Sequence, residues 1–121
     1  MTKRSDMNFK ELTEFATKHS NRLDKGILSG YDQEKRILHA TVKSNEEMGE
    51  LCDEVLKAIG AQHGNKMVGY KKEQVENEIA DVFFTVAILA NLLDIDIEKA
   101  MLEKMKLIDA GYTDEGEEIV K

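Results

Sequence analysis

Two pairs of acidic residues, Glu47/Glu50 and Glu78/Asp81, have the types and spacing to do chemistry. Each pair is spaced three apart in a segment with helical patterning. Residues i and i+3 share a helix face, with Cβ atoms roughly 5–6 Å apart, so each pair can aim two carboxylates at one point. Packing the two helices together would gather four carboxylates. Such a group repels itself unless something cationic lies between its members. Mg²⁺, with Mn²⁺ as a substitute, takes oxygen ligands of this kind.

On a wheel of about 100° per residue, Lys43, Glu47, Glu50 and Glu54 fall on one stripe beside an apolar face. Glu78, Asp81 and Thr85 share another stripe, which leads into the apolar run from Val82. Carboxylates this close to a buried surface are costly unless paired or metal-bound. Spacing alone leaves two readings open: a metal site, or acidic faces that are solvated or paired with lysines. The chain holds 24 acidic residues, so pairs three apart also arise by chance. No Glu-x-x-His occurs, which argues against a di-iron carboxylate centre. Neither Cys/His zinc spacing nor a Gly-rich phosphate loop occurs.

The positioning elements read as four helices and no strand. The first is predicted from Ser5 or Asp6 to about Leu23, with Phe9, Leu12, Phe15, Ala16, His19 and Leu23 as its stripe. Gly26 and Gly30 mark a connection. The second runs from about Asp32 to Ile59, with a break near Thr41 as the alternative; Met48, Leu51, Cys52, Val55, Leu56 and Ile59 form its apolar stripe. Residues 60–72 read as a polar, mobile loop, in which His63 is solvated and Lys66, Lys71 and Lys72 are most simply solvated, with closure over phosphate as the alternative. The third helix spans about Glu73 to Leu93. A fourth is capped by Asp94 or Asp96 and buries Ile97, Met101, Met105 and Ile108. The acidic tail after Gly111 reads as loose unless a partner orders it. Cys52 and Met48, Met101 and Met105 are expected in the core. His39, two turns before the acidic motif, is a candidate to line a base pocket.

A chain of 121 residues suits one all-α domain, residues 1–121. At this size oligomerisation is a common source of extra burial. Apolar residues make up 41 %, enough for a core, and proline and tryptophan are absent. A net charge of −7 argues against a partner that is a nucleic-acid polymer. One cysteine permits no intrachain disulfide, which fits a cytoplasmic setting. The apolar run Val82–Leu93 is too short to span a membrane, and the first residues lack a signal core.

These motifs resemble those of MazG-like nucleotide pyrophosphohydrolases. Glu46-Glu47-Met48-Gly49-Glu50 matches that family's EExxE element, with Gly49-Glu50-Leu51 as its usual continuation. Glu78-Ile79-Ala80-Asp81-Val82 matches ExxD, with 27 residues between Glu50 and Glu78. The likeness extends over about residues 36–112 and includes Leu89-Ala90-Asn91 and Asp96-Ile97-Glu98-Lys99-Ala100. The resemblance implies a four-helix bundle-like fold assembled as a homodimer or homotetramer. It implies Mg²⁺-dependent hydrolysis of nucleoside triphosphates, deoxynucleotides in particular, to monophosphate and pyrophosphate. It implies Glu47, Glu50, Glu78 and Asp81 as metal ligands and Glu46 and Glu47 as catalytic. Glu46, or else Glu54, is the candidate base. Lys104 matches a phosphate-contacting lysine, and Asp109 and Tyr112 fall where substrate contacts are expected.

The chain departs from the pattern at two places. Asp109 replaces an expected asparagine, without the flanking basic residues, and Thr85 stands where some relatives carry tyrosine. The departures at Asp109 keep open a helical interaction module with weakened catalysis; a relative acting on phosphoribosyl-ATP is a second alternative.

Overall fold

Three of the four helices begin where a side chain satisfies a backbone N–H that the helix itself leaves unpaired. The computed structural model describes residues 6–60 and 71–119. Helix α1 (Phe9–Lys25) starts at Asn8, whose side chain accepts from Glu11 N at 2.9 Å. The expected cap at Ser5 or Asp6 is thus displaced to Asn8. Helix α2 (Gln33–Ala58) is capped by Asp32, which accepts from Lys35 N at 2.8 Å, and runs unbroken through Thr41. Helix α3 (Lys72–Leu92) has no side-chain cap. Helix α4 (Ile97–Gly111) is capped by Asp96, which accepts from Lys99 N at 3.1 Å. Between α3 and α4 the chain reverses through Asp94 at φ 56°, with Ile95 N donating to Ala90 O at 2.8 Å. This is the left-handed helix stop in which glycine is usual. His63 and Lys66 lie outside the described residues.

Helices α2 and α3 form the main antiparallel pair, and α1 packs on α3. Gln33 Nε2 donates to Leu92 O at 3.0 Å, tying the start of α2 to the end of α3. The pairing therefore sets Ala40 near Ile88 and Glu47 near Asp81. The Thr17 hydroxyl bonds the Asn91 side chain at 2.9 Å, and the Phe15 and Phe84 rings lie 5.4 Å apart, linking α1 to α3. The buried apolar residues are Leu12, Ala16, Leu28, Ala40, Ala87 and Ala90. Four of these six are alanines, which let helix backbones approach closely but bury little area each.

Several expected core residues are exposed. Cys52 is exposed, as are Met48, Val55, Leu56 and Ile59 on α2. The face of α2 that meets α3 is instead its Ala40–Glu47 stripe, so the Met48–Ile59 stripe faces outward. Helix α4 rests chiefly against α1 and buries no residue; Met101, Met105 and Ile108 are exposed and Ile97 is half-buried. Leu107 and Phe83 are 68 % and 61 % exposed. Periodicity found these apolar faces, but the four helices described do not cover them. The tail is not loose: Thr113 N donates to Glu117 O and Ile119 N to Gly111 O, both at 2.8 Å, around a turn with Gly116 at φ 87°. Among the described residues there is no strand, only the isolated bridge Tyr112–Glu118.

Candidate metal centre

Antiparallel pairing of α2 and α3 brings the two acidic motifs to the same level. Glu47 belongs to both groups that result. Carboxylate oxygens of Glu46, Glu47 and Glu50 lie within 4.8 Å of one another, and so do those of Glu47, Glu78 and Asp81. Glu47 is 7 % exposed, and Ser20 is the other buried polar residue among those described. Its placement follows from helical repeat: Ala40, Lys43, Glu47, Glu50 and Glu54 recur at steps of three and four along the stripe of α2 that faces α3.

Positive charge in the cluster comes from Lys43, which lies 3.3 Å from Glu46 and 3.4 Å from Glu47. Hydrogen bonds to Glu46 and Glu47 hold the Lys43 ammonium above its usual pKa. One lysine does not neutralise the group. Glu50 is pushed up chiefly by the neighbouring Glu47 charge and then by loss of hydration. Glu78 is pushed up chiefly by loss of hydration, then by Asp81 and Glu47. Three buried oxygens, Oε2 of Glu47, Glu54 and Glu78, have no hydrogen-bond partner. Glu54 otherwise pairs with Lys57 at 3.3 Å, and Asn77 Nδ2 donates to Asp81 Oδ2 at 3.4 Å. Orphaned carboxylate oxygens, raised acid pKa values and an all-oxygen donor set fit a hard divalent cation. The same features disfavour a solvated face, where each oxygen would have water.

The other site candidates fall elsewhere. Lys104, Asp109 and Tyr112 are exposed on α4 and just after it, with no hydrogen bond or ion pair to the cluster. His39 is half-buried and lines a cleft between α1, α2 and α3. Lys71 and Lys72 flank the start of α3; Lys72 lies 3.9 Å from Glu76. Lys43 was not assigned a role from sequence, although its spacing to Glu46 and Glu47 marks an ion-pairing position on a helix.

The fold and site define an all-helical protein with a carboxylate cluster able to take a metal. Residues 35–109 match the MazG nucleotide pyrophosphohydrolase domain, and the chain belongs to that family. No curated protein and no solved structure matched significantly. Among the described residues no helix is long and apolar enough to cross a membrane.

Proposed function

We propose that this protein is a Mg²⁺-dependent nucleoside triphosphate pyrophosphohydrolase. It cleaves between the α- and β-phosphates, acts on deoxynucleotides and serves to cleanse the cytoplasmic nucleotide pool. The observation that carries this reading is the buried Glu47 carboxylate, shared by both acidic groups and left with an orphaned oxygen. The family match supports the same reaction class.

Glu47, Glu50, Glu78 and Asp81 would hold the ion. When bound, it supplies charge stabilisation at the α-phosphate and acidifies a water. The remaining steps belong to the chain. Glu46 is exposed at the rim, and Glu54 keeps one buried free oxygen; either can take the proton of the attacking water. Lys43 offsets the negative charge beside Glu47 and presents an ammonium to the phosphates. Packing of α2 on α3 fixes the carboxylates before substrate arrives, so little reorganisation is needed.

The exposed apolar faces of α2, α3 and α4 support assembly as a homodimer or homotetramer. An α4 without a buried residue gains its burial only against a second copy. Because Lys104, Asp109 and Tyr112 lie away from the cluster of their own chain, they meet substrate only if assembly brings them there.

The test is product analysis with nucleoside triphosphates and Mg²⁺. Monophosphate and pyrophosphate are expected; orthophosphate, or no turnover, sinks the assignment. Asp81→Asn is expected to lose at least 100-fold in kcat with unchanged helical circular dichroism. Full activity in that variant removes Asp81 from the ligand set.

A further inference from the structure

Lys43 stands on the solvent side of the carboxylate cluster. Its ammonium lies 3.3 Å from Glu46 Oε1 and 3.4 Å from Glu47 Oε1 and so bridges the two. The helical repeat places it there: the two glutamates follow Lys43 by three and four residues, the steps that share a face. The side chains of Lys43 and Glu46 are 43 % and 53 % exposed, against 9 % for Glu47. The cluster therefore has an open outer group, Glu46, Glu47 and Glu50, and a more enclosed inner group, Glu47, Glu78 and Asp81.

The two groups differ in what neutralises them. The outer one already holds an ammonium. In the inner one Glu78 Oε2 is buried without a hydrogen-bond partner, and Asp81 accepts from the neutral Asn77. Among the described residues no lysine or arginine pairs with Glu78 or Asp81. Glu47 belongs to both groups: its Oε1 meets Lys43, while its Oε2 is buried and unpartnered.

We propose that Lys43 is the resident cation of the outer group, so that the centre takes one divalent ion, on the inner group, and not two. The inference rests on the metal reading above. Glu50 lies against both Glu47 and Glu78 and can serve the inner ion. Glu46 is then the carboxylate that Lys43 matches one to one. A second divalent ion on the outer group has two courses. Beside the ammonium, at about 4 Å in a water-like medium, its binding is weakened about 30-fold by repulsion. Driving the ammonium off forfeits an exposed ion pair and weakens it up to about 5-fold. Either way the lysine opposes a second ion.

The experiment counts Mn²⁺ ions bound per chain in the nucleotide-free protein, by electron paramagnetic resonance and by isothermal titration calorimetry. Circular dichroism checks that each variant folds. The wild type should bind one ion. Lys43→Met should bind two, the second at least about 5-fold more tightly than any second ion in the wild type. Lys43→Arg, which keeps the charge, should return the count to one. So should Lys43→Met/Glu46→Gln, which takes away the outer group's own carboxylate. A lysine with a merely structural role would leave the count unchanged throughout. Two ions on the wild type, one on Lys43→Met, or two on Lys43→Arg overturns the inference and leaves the metal reading standing. A second ion that persists in the double variant lies elsewhere and overturns it as well. The wild-type count needs no variant to fold. No ion on any of the four proteins removes the metal reading itself, and the inference with it.

Discussion

Glu47→Gln separates a metal ligand from an ordinary buried ion-pair partner. The substitution keeps the side-chain shape and removes one charge from both acidic groups. Two effects oppose each other in the metal-free protein. Losing the pair with half-exposed Lys43 costs about 0–1 kcal/mol. Relieving repulsion against Glu46, Glu50, Glu78 and Asp81, each with an oxygen within 4.8 Å, gains about 0.9 kcal/mol per neighbour in a water-like medium. The site is partly open, so this lower end applies, and the four neighbours outweigh the lost pair by about 2.5–3.5 kcal/mol. For 121 residues the unfolding entropy is about 0.25 kcal/mol/K. The variant should therefore melt about 10–14 °C above its parent in EDTA. Mg²⁺ at a hundred times its dissociation constant stabilises the wild type by about 2.7 kcal/mol, or about 11 °C. The variant should lose most of that rise. Differential scanning fluorimetry with and without Mg²⁺ reads both numbers. A variant that melts well below the parent in EDTA yet keeps the full Mg²⁺ shift would refute the reasoning: Glu47 would then be a structural partner of Lys43 and no ligand.

Two further outcomes follow from the same geometry. Glu50 and Glu78 bind their protons more tightly folded than unfolded, so their contribution to stability is present below about pH 4.5 and is lost as pH rises through their raised pKa values. In EDTA the wild type should lose Tm over that window relative to a Glu50→Gln/Glu78→Gln variant, and Mg²⁺ should remove the difference; parallel pH profiles in EDTA would show that the two carboxyls are not under strain. Met105→Glu on α4, at a residue 59 % exposed, should halve or quarter the mass seen by light scattering while helical circular dichroism is kept. An unchanged oligomer would place the interface elsewhere.

Much of the architecture was legible because helix formation is local. Asp32 and Asp96 are caps with their bonds to the third residue, and the α2 and α3 boundaries fall within a residue or two of the pattern. The motif pairs were legible because a helix repeats every 3.6 residues, so spacing alone assigns a face. What covers a face is not local. Cys52, Met48 and the α4 methionines lie on apolar stripes, yet no described element of the chain packs over them. The tail turn was missed because its bonds join Gly111 to Ile119 and Thr113 to Glu117, with only Gly116 as a signal.

By itself, the order of residues determined four helices, two acidic pairs and the family to which the chain belongs, since each depends on near neighbours along the chain. Only the tertiary structure decided that Glu47 is the carboxylate common to both groups and that Lys43 stands beside it. Those facts depend on the register of α2 against α3, which the Gln33–Leu92 bond ties across 59 residues of chain.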